Sequence, residues 1–212
     1  MDRPEGAPLP PYEPVYVDAE PVAHVSYALG QTLGRFGIEG EGVLSEFPEW
    51  LQEHRILFVS AEGHDSLKTP YAYHALHTAW REHGRAVAPG EQLGDYLRKG
   101  FFEHHRRLYE NRPILFPLSS AKKSFVAWVS IHAWQADPLQ VLLADHLVPA
   151  RRRIEGELAD LRTARASGRA KTQAKNQAER RYAELSKLYE ELEAFIAAVE
   201  QLAERGAPQP DD

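Results

Sequence analysis

The sequence predicts an α+β protein, mostly α: a small core containing a β-hairpin, followed by a long C-terminal antiparallel helical hairpin of coiled-coil character. Three observations predict it. Leu185, Leu188, Leu192, Phe195, Val199 and Leu202 follow one another at alternating steps of three and four, the stripe of a helix that packs on another helix. Two β-branched and aromatic stretches, ILFPLSS from Ile114 and SFVAWVSIHAW from Ser124, meet at a polar loop, Ser119-Ser120-Ala121-Lys122-Lys123, as hairpin arms do. Over Asp95 to Tyr109, DYLRKGFFEHHRRLY, apolar and basic positions segregate as on one amphipathic helix.

Taken in chain order, residues 1–21 hold six prolines, which exclude a continued helix or central strand and leave an extended arm. Val25, Leu29, Leu33 and Phe36 then share one helical face, with Gly30 and Gly34 on the adjoining strip. Glycines four apart admit close approach of another element; without a strand before and a helix after, they form no phosphate loop. GVL at 42–44 and RILFVS at 55–60 read as short strands around the acidic FPEWLQEH. Pro70 to His83 is helical, with His74, His77 and Trp80 three apart; two such histidines can ligate a metal, but no carboxylate stands at the matching step, so helix-surface or partly packed histidines are the expected reading.

Past Asp137, Leu139, Leu142, Leu143 and Leu147 form one helical face, which Pro149 is expected to interrupt. Ile154, Leu158 and Leu161 follow, the stripe lapses over ARASGRAKTQAK, and Ser167-Gly168 is the expected turn of the helical hairpin. The expected organisation is an arm (1–21), an α+β domain (22–148), the helical hairpin (149–205) and a tail (206–212).

Composition narrows the chemistry. Of 212 residues none is Cys, so disulfides, thiolate metal sites and cysteine nucleophiles are excluded. No apolar run approaches the roughly 20 residues of a membrane helix, and the start is unlike a secretory signal; a cytoplasmic location is expected. The formal net charge is −6, yet residues 94–130 carry 7 basic against 3 acidic side chains and residues 151–181 carry 10 against 4. Local contacts to phosphate remain open in such a chain. The candidate DNA-contacting residues are Arg98, Lys99, Arg106, Arg107 and Arg112 of the basic segment, Ser119, Ser120, Lys122 and Lys123 of the β-hairpin loop, and Arg165, Arg169 and Lys171, with Lys175 beside them, at the helical tip. A solvated loop or helix end accounts for the same residues. His104, His105 and His132 with Ser119, Ser120 or Ser124 would make a catalytic pair, but no nucleophile-elbow pattern and no orienting carboxylate accompany them.

VSYALGQTLGRFG, FFEHHRRLYENRPILFPLSSAKKSFVAWVSIHAW and LVPARRRIEGEL together resemble the C-terminal region of large adenine-specific DNA methyltransferases of the BREX phage-defence type (PglX-like) and of related single-chain restriction-modification enzymes. The resemblance covers residues 22–212 and omits the proline arm. Those enzymes bind S-adenosylmethionine in an N-terminal domain and flip adenine against an Asn-Pro-Pro-Tyr motif, whereas here the one Pro-Pro, Pro10-Pro11, follows Leu9; base-flipping chemistry therefore needs another chain. The family also runs on past an Asp-Asp-Gly-Val sequence where this chain ends at Asp211-Asp212, as a detached piece would. The resemblance implies a non-catalytic accessory or specificity subunit that binds no cofactor itself. Its partners would be a catalytic methyltransferase chain with S-adenosylmethionine, other defence proteins and double-stranded DNA, with no membrane. A pure assembly scaffold without DNA contact is the alternative.

Overall fold

The computed structural model describes residues 20–36, 56–63, 70–130, 138–166 and 172–205. The proline arm, the 42–44 strand, the FPEWLQEH insert, His132, the Ser167-Gly168 turn, Arg169, Lys171 and the tail lie outside the described residues. The predicted class holds: the chain is α+β and mostly helical, with a small antiparallel sheet and a long C-terminal helix.

The first helix, α1 (Pro21–Thr32), starts with Pro at its first position, where the missing N–H costs nothing. It stops earlier than the apolar spacing predicts, and Gly34 is the reason. Gly34 takes φ 71°, its N–H bonds Gln31 O and the Arg35 N–H bonds Gly30 O, the pair of reversed bonds that closes a helix on a left-handed residue. Phe36 then folds back on α1, so that a Cβ on Gly30 would stand 2.5 Å from its ring. The predicted close approach at Gly30 is thus made by the helix's own tail.

Strand β1 (Ile56–Ser60), helix α2 (Pro70–Val87) and the hairpin strands β2 (Leu115–Ser119) and β3 (Phe125–Ser130) match their sequence signals. The expected single helix over 95–109 is two, α3 (Leu93–Lys99) and α4 (Phe101–Leu108), broken at Gly100. Gly100 has poor helix propensity, and a Cβ there would press on the Tyr96 ring at 3.2 Å. The break turns both Tyr96 and Phe101 into the core, 1% and 0% exposed.

Pro149 does not interrupt the chain. Helix α5 (Pro138–Val141) passes through a π-helical turn, Leu142–Leu147, into α6 (Val148–Ala166), and Val141 and Val148 keep ordinary α angles on either side. A wider turn before a proline relieves the clash between its ring and the carbonyl four residues back. The last helix, α7 (Thr172–Arg205), runs antiparallel to this composite arm. Arg165 pairs with Glu179, Arg162 with Tyr182, Glu155 with Tyr189 and Arg151 with Glu193; as one number falls the other rises.

The sheet order is β1-β3-β2, all antiparallel, with Leu57 and Pro117 both opposite Trp128. Alternate strand residues point to opposite faces, and both faces are covered. Ile56, Phe58, Phe125, Ala127 and Val129 pack on Leu142, Leu147, Ile154, Leu185, Leu192 and Phe195 of the helical hairpin. Leu57, Val59, Val126 and Trp128 pack on α1 to α4 through Leu29, Leu76, Leu97 and Phe101. The molecule is therefore three layers, helices on sheet on helical hairpin, and the boundary expected at 148/149 runs through the middle of one shared core.

On the edge strand β2, Ser120 N–H reaches Phe125 O across the hairpin, so the amides of 116, 118 and 120 face β3 and those of 115, 117 and 119 face outward. Leu115 N–H donates to His105 Nε2 at 3.2 Å, and Pro117 has no N–H to offer. His105 is fully buried and also lies 2.8 Å, through Nδ1, from Ser26 Oγ. Because Nε2 accepts, Nδ1 carries the proton and donates to Ser26, which in turn bonds Tyr109. Burial lowers the His105 pKa to about 4. One neutral imidazole thus joins α1, α4 and β2.

Candidate nucleic-acid interface

The β2–β3 turn is built by its own sequence and by two residues from other layers. Lys123 N–H closes a turn on Ser120 O, and Lys123 takes φ 58°, a left-handed conformation tolerated at tight turns. Ser120, 4% exposed, accepts from Phe125 N–H with its Oγ at 3.0 Å. Its hydroxyl hydrogen goes to Glu191 of α7 at 2.5 Å. The same carboxylate oxygen accepts from the backbone N–H of Lys122 at 2.9 Å and of Ser124 at 3.3 Å, and the second oxygen accepts from Ser124 Oγ at 2.7 Å. Burial by itself raises the Glu191 carboxyl, and these hydrogen bonds outweigh it, holding the group below the usual carboxylate range.

From the opposite side, Arg98 Nη1 donates to the Lys123 carbonyl at 3.0 Å while Nη2 holds Asp95 at 2.7 Å. Its side chain is 9% exposed. The fold thereby brings Arg98 and Lys99 of α3 together with the turn that carries Lys122 and Lys123. Ser119, Lys122 and Lys123 are exposed; Lys99 is exposed and bonds Asp95 at 3.0 Å.

The other predicted cations fall elsewhere. Arg106 and Arg107 flank Glu103 on α4, at 3.1 and 3.2 Å, and the Arg106 bond comes first among the contacts that hold the Glu103 carboxyl low. Arg112 is exposed in the segment that leads to β2. Arg165 makes two bonds to Glu179, at 2.8 and 2.6 Å, and lies over the Tyr182 ring at 4.4 Å. Among the described residues, Arg106, Arg107 and Arg165 are thus each engaged by a carboxylate near them.

Of the residues expected to contact DNA, Ser120 is the one whose hydroxyl is turned inward, where Glu191 holds it. Glu191 itself was invisible to sequence reasoning. Its one signal is position, directly before the stripe residue Leu192, which places it at the rim of the packed face rather than on the outside of α7.

His104 Nδ1 meets Tyr96 Oη at 2.9 Å, and His24 stacks on His83 with centroids 4.1 Å apart. Among the described residues no three of His, Asp or Glu gather as a metal site, and no helix is long and apolar enough to cross a membrane. Neither a scan of protein-family models nor a search of curated proteins finds a match to this chain.

Proposed function

We propose that this chain is a non-catalytic accessory subunit of a phage-defence DNA adenine methyltransferase or restriction-modification complex, and that it contacts DNA phosphates with the β2–β3 turn. The observation that carries the reading is the fixed turn: Glu191 and Arg98 hold its backbone from two sides while the Lys122 and Lys123 side chains stand exposed. Cations on an immobilised frame lose little conformational freedom when they meet a phosphate, and they position a protein on DNA without reading bases. The likeness of the surrounding segments to the methyltransferase C-terminal region supplies the class of complex. S-adenosylmethionine and the flipped base belong, in this reading, to a separate catalytic chain.

Duplex DNA binding measured by fluorescence anisotropy across a salt series tests it. Wild-type affinity should fall with salt, and the double charge reversal K122E/K123E should weaken binding and reduce the log–log slope by about 2, close to one per phosphate contact removed. Absence of salt-dependent affinity, both alone and with the catalytic chain that co-purifies, would refute the DNA contact.

A second reading, an assembly scaffold without DNA contact, is favoured by one observation. Arg98, Lys99, Arg106, Arg107 and Arg165 are each engaged by a carboxylate of the same chain. Under that reading K122E/K123E leaves capture of the partner chain and the activity of the complex unchanged.

A further inference from the structure

The donors around Glu191 form a set in their own right. Two backbone N–H groups, of Lys122 and Ser124, and two hydroxyls, of Ser120 and Ser124, converge on one carboxylate. A phosphoryl group can take such donors from a turn, backbone amides and short hydroxyls with cations beside them, although here the two amides are alternate ones, because the Lys123 N–H between them bonds Ser120 O. The surround is positive here on the turn side, where Lys122 and Lys123 belong to the turn itself and Arg98 bonds the Lys123 carbonyl. The carboxylate that occupies the set comes from a different layer of the fold, 67 to 71 residues away in sequence. Beside it runs an open groove of about 460 Å³, lined by Lys122, Lys187, Glu190, Ala194 and Phe195, so that a ligand can reach the turn from solvent.

We propose that the β2–β3 turn is an oxyanion-binding cradle whose resident occupant is the Glu191 carboxylate, and that a phosphate group takes over the same donors when that carboxylate is withdrawn. The proposal deepens the reading of this turn as a phosphate contact and rests on it only for the source of the phosphate. It makes Glu191 an internal competitor. A carboxylate and a phosphate monoanion accept from the same donors, so the protein keeps the cradle filled and its amides satisfied until the Glu191 side chain is turned away or neutralised. Lys122 and Lys123 then act as outer cations, and Ser120, Ser124 and the two amides as the inner contacts.

The test is a titration of the full chain with inorganic phosphate at constant ionic strength, followed by the backbone amide signals of Lys122 and Ser124. Glu191→Ala should bind phosphate at least about tenfold more tightly than wild type, because a charged acceptor no longer competes, and adding Ser120→Ala and Ser124→Ala should abolish the gain. The cross-strand amides of Ser120 and Phe125 report whether the turn survives; if Glu191→Ala melts it, Glu191→Gln, which keeps an acceptor for the Lys122 amide without the charge, must show the gain instead. No gain in a variant whose turn is intact overturns the cradle. A duplex DNA arm separates the two sources of phosphate: tighter DNA binding by the same variant identifies nucleic acid. A gain for inorganic phosphate with DNA affinity unchanged keeps the cradle, makes a small phosphate its ligand and overturns the nucleic-acid part of the proposal.

Discussion

Two residues, Glu191 and His105, each join elements that are distant in sequence, and each does so with a polar group that is expensive to leave unpaired. Replacing Glu191 with Gln removes the charge and weakens several bonds at once. The expected loss is about 1.5–3 kcal/mol, the range for hydrogen bonds to a charged group, read as a lower denaturation midpoint with the slope unchanged. His105 ties stability to pH. Its folded pKa lies near 4 against the ordinary 6.5, so between those values the unfolded chain binds a proton that the folded chain refuses. The site's contribution is therefore complete above pH 6.5 and is lost as pH falls toward 4, by about 3 kcal/mol at one pKa unit per 1.36 kcal/mol. Chemical denaturation across pH 4 to 7 checks it: the acid-side slope should flatten in His105→Gln.

Each element also shows which signals a single sequence carries. The Leu185 to Leu202 stripe is legible from its 3.5-residue period and the two β-rich arms from their β-branched and aromatic residues, signals that depend only on neighbours along the chain. Gly100 was not read as a break, because a lone glycine within a helical pattern is tolerated in most settings; here the Tyr96 ring packs over it and both aromatic neighbours are drawn inward. Pro149 was read as a break for a sound reason, and the π-helical turn that accommodates it leaves no local signature in LLADHL. Gly34→Ala should cost about 1–2 kcal/mol, since its φ of 71° places a Cβ against its own backbone. Leu192→Ala, at 0% exposure between sheet and helical hairpin, should cost about 2–5 kcal/mol. Thermal denaturation of the two variants should rank them in that order.

For the whole molecule, the boundary expected between domain and hairpin falls where one sheet is covered on both sides. The cause is that β3 is apolar from Phe125 to Val129 and buried at every position, a pattern that declares burial without saying by what. Truncation after residue 166 would bare Phe58, Phe125 and Val129, which pack against α7 and its partner arm. The shortened chain should fail to give the dispersed amide spectrum of the full one. The candidate interface was half legible: Lys122 and Lys123 announced themselves by charge and turn position, whereas the acceptor that fixes them comes from 69 residues further on, a pairing no local pattern encodes.

The outer edge of β2 bears on how the protein behaves when crowded. Of its three outward amide positions, Leu115 is occupied by His105, Pro117 has no hydrogen, and Ser119 alone stands at the end of the row. A strand from another molecule would find two of the three amide donors of this row missing, which disfavours edge-to-edge pairing along this side. A buried histidine and a proline act together here as a stopper on the β2 edge of the sheet.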